Sequence, residues 1–284
     1  MRRLIAGLTL LSLLVTGCGT EGPGPREAVA AAAEHTAEAG TARIAMTFAQ
    51  ESEGFSMTLS SEGVIDFVNN RAELRMEMPG MPEGADGEGA ITMIADGTVL
   101  YTQLPIPDAP TPWIRIDAAE LGSAAGGFGG SAGTQNPSEA LDYLRGVSDD
   151  VTEVGREEVR DVDTTRYEGT VDLNKAVDEL AEEHREQARR SVEMLGTDEL
   201  PVVVWIDDDG LLRRMTYEMD LSRMQVPETP DGAPGDAPMA QPQGTATVTM
   251  ELYDFGVEVD IAPPPDDEVT DFGDMELFDP PEGF

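Results

Sequence analysis

The chain has 284 residues, with 18 Lys and Arg against 56 Asp and Glu and a formal net charge of −38. This acidity excludes nucleic acid as an expected partner, because binding phosphate requires a basic surface. Hydrophobic residues make up 40%, which is enough for a packed core and excludes a disordered acidic chain. With two histidines and one cysteine, we expect no metal, no cofactor and no internal disulfide.

The N-terminus has the three-part pattern of a bacterial lipoprotein signal. A basic start, Met1-Arg2-Arg3, precedes the apolar stretch Leu4–Val15, whose 12 residues are too few to span a bilayer. Val15-Thr16-Gly17-Cys18 then resembles a lipobox, in which the cysteine thiol becomes diacylglyceryl cysteine. The sequence predicts a signal peptide over 1–17 and a lipidated tether over 18–25. The alternative is an ordinary secretory signal with an incidental cysteine.

The first half of the mature chain is predicted to form a helix followed by antiparallel strands. The helix begins at Gly24-Pro25 and ends at Gly40. Apolar and polar residues then alternate with a period of two, which indicates strands with one buried and one wet face. Gly63 interrupts this alternation and predicts a bulge or bend. Asp96-Gly97 predicts a hairpin turn, and Trp113–Ile116 a further strand.

The second half repeats this type of pattern without a detectable sequence repeat. Val159–Val162 and Thr164–Val171 are predicted to be paired strands around a turn, and one long helix is predicted over Leu173–Leu195. Strands over 201–206 and 211–221 flank a turn at Asp209-Gly210, and a last strand pair or bent strand covers 245–259. Glycine- and proline-rich loops occupy 122–135 and 225–244. We interpret 26–272 as a single α+β domain and 273–284 as an acidic tail.

Two segments resemble a known lipoprotein family. VRDVDTTRYEGTV at 159–171 is similar to the central strand pair of the actinobacterial LppX/LprA/LprF/LprG lipoproteins. LPVVVWIDDDGLLRR at 200–214 is similar to their Pro-Val-x-Val-Trp hairpin. The lipobox, the opening helix and the closing stretch from Phe255 to Pro263 occur in matching order. The resemblance covers most of residues 26–272.

This resemblance implies a fold and a type of ligand. The family is similar in fold to the periplasmic carriers LolA and LolB, which implies a curved antiparallel half-barrel sheet closed by helices. The half-barrel would surround an apolar cavity that holds acyl chains. The family has no catalytic motif to transfer, and its functional residues are cavity-lining side chains that are not fixed by identity.

Other chemistry is poorly supported by the residues. If Gly210 took the sixth position of a calcium-binding EF-hand loop, Trp205 and Thr216 would take positions that require carboxylates. His35 and His184 are interpreted as helix-edge or cavity-lining residues rather than catalysts. No Gly-x-Ser-x-Gly motif occurs, so no catalytic residue and no enzymatic activity are predicted.

The candidate cavity residues are apolar side chains, many of them methionines, on the apolar phase of the predicted strands. Thioethers are pliable and suit ligands of varied shape, but they also fill gaps in ordinary cores. Both interpretations, core packing and ligand lining, remain open. The candidates are Ile44, Met46, Phe48, Met57, Leu74, Met76, Met78, Met93, Met215, Tyr217 and Met219.

Three functional hypotheses follow. The first is a non-enzymatic, membrane-anchored lipoprotein that binds lipid or another hydrophobic ligand, with transport across the cell envelope as an extension. The second is an anchored sensor or accessory protein that binds a protein partner through the same fold. The third, an anchored hydrolase, lacks a recognisable set of catalytic residues. Expected partners are the ligand, the cytoplasmic membrane through acylated Cys18, and an envelope transporter, and the protein is expected to be a monomer on the extracytoplasmic face.

The lipobox generates the first testable prediction. Cys18→Ala is expected to move the protein from the membrane fraction to the soluble fraction or the medium, because acyl chains such as palmitate supply the anchor. Fractionation after a high-salt wash measures this. Unchanged membrane association of the variant would contradict it.

Overall fold

The computed structural model describes residues 24–77, 90–103, 112–117, 140–141, 143–180, 182–225 and 243–274. The described strands form one sheet of 12 strands in the order β12-β6-β5-β4-β3-β2-β1-β11-β10-β9-β8-β7. The strands are β1 Thr41–Ser52, β2 Phe55–Asp66, β3 Arg71–Glu77, β4 Ala90–Asp96, β5 Val99–Gln103, β6 Trp113–Asp117, β7 Thr152–Val159, β8 Val162–Asp172, β9 Glu199–Asp207, β10 Leu212–Asp220, β11 Thr245–Tyr253 and β12 Val269–Asp271. The helices are α1 Pro25–Glu38, α2 Leu173–Glu179 and α3 Glu182–Leu195.

The sheet consists of two meanders joined in the middle. Strands β1 to β6 follow one another across the sheet, as do β7 to β11, and β1 pairs with β11. All neighbouring strands are antiparallel except β12, which pairs in parallel with β6. The result is an open, curved antiparallel sheet with helices against one face, so the predicted α+β half-barrel fold is confirmed.

The face on which the helices pack is called the inner face, and the opposite one the outer face. Val29 and Ala33 of α1 and Ala176 of α2 belong to one core cluster with inner-face residues of the sheet. Helix α1 contacts β7, β9 and β10, while α2 contacts β8 and the turn Leu144–Gly146. The helices therefore cover mainly the β7–β10 half of the inner face.

Two hydrogen bonds place the ends of α1. At its start, Arg26 Nε donates to the carbonyl oxygen of Val147 at 3.3 Å. Near its end, the buried hydroxyl of Thr36 accepts a bond from the backbone N–H of Leu212 at 2.9 Å. Because a buried donor without a partner is costly, the Thr36 bond holds α1 in place at the start of β10.

The outer face carries a second, smaller core cluster. Ile94, Trp113 and Ile261 are buried there, with Val259 and Val269 packed against them. The predicted strand through Val259 is wrong, because β11 ends at Tyr253. Asp254 and Gly256 adopt positive φ angles of 50° and 73°, which turn the chain out of the strand and across the outer face.

The predicted long helix over Leu173–Leu195 is two helices. Helix α2 ends at Glu179, and Leu180 has an extended backbone with ψ 159°. Arg185 Nε donates to the carbonyl oxygen of Leu180 at 2.8 Å, which satisfies an acceptor at the break. Val192 and Leu195 of α3 still pack against the main core.

The bulge predicted at Gly63 is absent. The β1–β2 and β2–β3 registers continue through Gly63 without a shift. A Cβ at this position would lie 1.8 Å from the carbonyl oxygen of Glu73, so the glycine permits close approach of the β3 backbone. Register shifts occur instead in β7 and at the start of β10.

Two of the predicted turns are present, and a third lies a few residues from its predicted place. Asp96 pairs with Val99 across a two-residue loop, one residue later than predicted. The strand predicted over Val159–Val162 is instead the turn itself, because Val159 ends β7 and pairs with Val162, and Arg160 and Asp161 between them both have positive φ, as a type I′ hairpin turn requires. The turn before β10 is also formed, with Gly210 donating to the Asp207 carbonyl at 3.1 Å. The predicted loop 122–135 lies outside the described residues, as do positions 226–242 of the predicted loop 225–244.

Gly63→Ala is expected to destabilise the protein by about 1–3 kcal/mol, because the methyl group forces two central strands apart. Urea unfolding followed by circular dichroism measures the change. Gly273→Ala is the matched control, since nothing lies within 4 Å of its Cβ position. Equal stability of the two variants would contradict the close approach.

Candidate ligand-binding face

The inner face is covered over β7–β10 and also near the β2–β3 turn, where residues of β1–β4 are buried, and it is only partly buried farther along β1–β4. On the covered half, Val202, Val204, Met215 and Met250 are buried beneath or beside the helices. On the β1–β4 half, a group of apolar side chains remains half-exposed. We call this group the inner band, and it consists of Met46, Phe48, Met57, Leu59, Met76 and Ile91.

Strand register places the inner band in continuous rows. Met46 lies opposite Ser61, Ser61 opposite Met76, and Met76 opposite Ile91. On its other side, Met46 lies opposite Met250 of β11. Because directly opposed residues have Cβ atoms about 4.5–5.5 Å apart, these side chains form one apolar row across the sheet.

A second row contains the aromatic candidates. Phe48 lies opposite Leu59 in β2 and opposite Val248 in β11. Val248 in turn lies opposite Tyr217 in β10. Phe48 and Tyr217 therefore flank Val248 on the inner face, at the boundary between its covered and half-exposed halves.

The structure separates the predicted cavity residues into two groups. Met46, Phe48, Met57, Met76 and Tyr217 are half-buried and remain accessible on the inner face. The other described candidates are buried in the core, with exposures of 8% or less. These are Ile44, Leu74, Met93, Met215 and Met219. Met78 and the lipidation candidate Cys18 lie outside the described residues.

Two inner-band residues were not among the predicted candidates. Leu59 and Ile91 have the same apolar phase as Met57 and Met93 in their strands, so the alternation pattern contained the signal. An emphasis on methionine missed them. Ser61, buried between Met46 and Met76, is the small residue that leaves space in the first row.

Tyr217 brings a polar group to the inner face without adding a charge. Burial raises the pKa of its phenol to about 12. Burial also raises the pKa of Tyr167 on β8, with Glu153 contributing. Both hydroxyls therefore stay protonated at neutral pH and can donate or accept a hydrogen bond.

Several charged groups of the outer face form internal pairs. Arg160 and Arg214 donate to Glu251 at 2.7 and 2.8 Å. Burial raises the pKa of Glu251, but the two arginine hydrogen bonds outweigh it and hold the pKa below its ordinary value. Trp205 Nε1 donates to Glu157 at 2.7 Å. These carboxylates are engaged in structural contacts.

The acidic turn before β10 is also structural. Asp207 accepts bonds from the backbone N–H groups of Asp209 and Leu211, and from Arg213 Nε at 2.6 Å. Its oxygens are therefore committed to the turn. In the part of the chain that the structure describes, no cluster of three His, Cys, Asp or Glu side chains is placed to hold a metal ion. No helix within the described ranges is both long and apolar enough to cross a membrane.

No protein-family model matches the chain. A Streptomyces griseus protein, named "Uncharacterized 31.2 kDa protein in rplA-rplJ intergenic region", is 28% identical over 170 residues. The match covers 57% of this chain and 49% of that protein. The chain thus spans about half the length of this curated relative.

Solved structures of two lipoproteins resemble the chain. LppX of Mycobacterium tuberculosis is 14% identical, with a TM-score of 0.45, over 83% of this chain and 98% of LppX. LprF of Mycobacterium bovis is 15% identical, with a TM-score of 0.42, over 86% of this chain and 98% of LprF. A LolA superfamily protein of Nitrosomonas europaea is 11% identical, with a TM-score of 0.31, over 82% and 95% of the two chains. LppX and LprF carry the names of the family that the sequence motifs resemble.

Truncating a methionine should distinguish the two groups of candidates. Met215→Ala is expected to lower the free energy of unfolding by about 2–5 kcal/mol, because it opens a cavity at a site that is 3% exposed. Met46→Ala, in the half-exposed inner band, is expected to cost clearly less. Chemical unfolding of both variants measures this. A larger loss for Met46→Ala would mean that the inner band is part of the packed core.

Proposed function

We propose that this protein is a non-enzymatic lipoprotein of the cell envelope that binds a lipid or another hydrophobic ligand on its inner face. An acylated Cys18 would anchor it to the extracytoplasmic face of the cytoplasmic membrane. It would then belong with the LppX/LprA/LprF/LprG lipoproteins that its motifs resemble. The observation that carries the proposal is the inner band of partly buried apolar side chains on the face of the sheet that also packs against the helices.

The inner band is unusual for a face that also forms a core. Burial of apolar surface stabilises by about 25 cal/mol for each Å² removed from water, so covering the part of this row that is still accessible would stabilise the protein further. Contiguous apolar patches on soluble proteins commonly mark sites for ligands or partners. A bound acyl chain would complete the burial of Met46, Phe48 and Met76.

The chemistry of the inner band favours an apolar ligand. Its methionines have flexible thioether side chains that adapt to chains of varied shape. The nearby phenol of Tyr217 is neutral, with its pKa raised to about 12. A ligand would therefore meet apolar contacts, with one hydroxyl available for an ester or hydroxyl group.

Anchoring and binding together suggest a role in lipid handling. A protein tethered by Cys18 stays next to the bilayer, where lipids are abundant, while its sheet holds one lipid away from water. Movement of that lipid across the envelope, with an envelope transporter as the protein partner, extends the proposal beyond binding.

The test is native mass spectrometry, with organic extraction, of a soluble form that lacks residues 1–18. The expected result is a lipid that co-purifies with the protein. Met46→Trp combined with Met76→Trp should fill the row on both sides of Ser61 and reduce the bound lipid, with a smaller effect on stability.

Thr47→Trp combined with Glu77→Trp is the matched control on the outer face of the same two strands. This control is expected to retain the lipid. The proposal fails if the wild-type protein yields no lipid. It also fails if the inner-face double variant loses melting temperature while its lipid content equals that of the control.

A further inference from the structure

The sheet has two rims that differ in their relation to the anchor. The tip rim is the end of the strands at which β1 turns into β2, at Ser52 and Phe55. Glu51 lies opposite Thr245, and Thr245 opposite Asp220, so β10 and β11 also reach this rim. The base rim is the opposite end of the strands, where β2 turns into β3.

Helix α1 begins at the tip rim. Arg26, in its first turn, donates to the carbonyl oxygen of Val147. Val147 forms a bridge with Val171, one residue before the end of β8. Since β8 and β1 both run from the base rim to the tip rim, Gly24 at the start of α1 lies at the tip rim.

The length of the tether decides which rim an anchored protein holds near the bilayer. Gly24 lies six residue steps after Cys18, and an extended chain spans at most ~3.5 Å per step, or about 21 Å. Strand β1 has 12 residues, so its eleven residue steps of ~3.3 Å make it about 36 Å long. A lipidated Cys18 therefore keeps the tip rim nearer to the membrane than the base rim.

The tip rim presents an exposed aromatic ring in line with the inner band. Phe55 is 52% exposed, although large apolar side chains are normally buried. It has the same phase in β2 as Met57 and Leu59, so its side chain belongs to the inner face. Apolar side chains thus run from the exposed tip through Met57 and Leu59 to Phe48.

We propose that the tip rim faces the bilayer, with Phe55 at the lipid–water boundary, and that the ligand enters the inner face along the β1–β2 hairpin. This inference rests on the proposed function, because the anchor at Cys18 sets the orientation. Glu51 and Glu53 flank the tip and are exposed. Their carboxylates limit insertion to a shallow depth and favour zwitterionic over anionic lipid.

The sequence offers a direct test of orientation, since Cys18 is the single cysteine. The form that begins at Cys18 is coupled through its thiol to maleimide lipid in phosphatidylcholine vesicles. Phe55→Trp is compared with Val68→Trp, whose site lies at the base rim and is 77% exposed. Wild-type Trp113 and Trp205 are buried and supply the background emission.

With brominated phosphatidylcholine, the added emission of Phe55→Trp is expected to shift to the blue and to be quenched. The added emission of Val68→Trp is expected to stay unchanged, without a blue shift or quenching. Equal quenching of both variants, or quenching of Val68→Trp alone, would overturn the orientation. This result does not depend on ligand binding, because the covalent coupling supplies the anchor.

The entry route is tested separately with Phe55→Asp and its control Val68→Asp. Phe55→Asp should slow the transfer of a fluorescent phospholipid from vesicles to the vesicle-coupled protein, while the lipid bound at equilibrium stays at the wild-type level. Equal transfer rates for the two variants would overturn the route. Absence of bound lipid in the wild-type protein would instead overturn the proposed function, so the two failures are distinguishable.

Discussion

The pairing of β1 with β11 is the constraint on which the rest of the structure depends. It joins residues about 200 positions apart and runs in register from Arg43 opposite Tyr253 to Glu51 opposite Thr245. Without it, the β1–β6 and β7–β11 meanders would be separate sheets. The pairing makes the inner face continuous, so that Met46 from one meander meets Met250 from the other.

The uneven covering of this continuous face creates the candidate site. Helices α1 and α2 and the turn beside Val147 pack over the β7–β10 half, where methionines such as Met215 act as ordinary core residues. The same residue type on the other half, as in Met46, remains half-exposed. One sheet thus provides both a stable core and an apolar surface, and the boundary between them runs near Tyr217.

The many carboxylates of this acidic chain repel one another, and ion pairs with arginine on the outer face reduce this repulsion. Arginines there form internal pairs, as Arg160 and Arg214 do with Glu251, and Arg160 also lies over the ring of Tyr253 at 4.0 Å. These exposed or partly exposed pairs contribute modestly to stability. They leave the inner face free of formal charge along its central rows, which suits an apolar ligand.

Local chemistry in the sequence determined the strands, the shared face of the candidate residues and the turns after Asp96 and after Asp207. A period of two assigns each side chain to a face whatever the rest of the fold does. Tertiary structure alone decided which of those side chains are buried, because the position of α1 over β7–β10 depends on contacts such as Thr36 with Leu212, 176 residues away. It also decided the break at Leu180, the end of β11 before Asp254 and the unshifted register at Gly63. Each of these features depends on contacts with backbone that is distant in sequence. A local sequence pattern carries no information about such contacts.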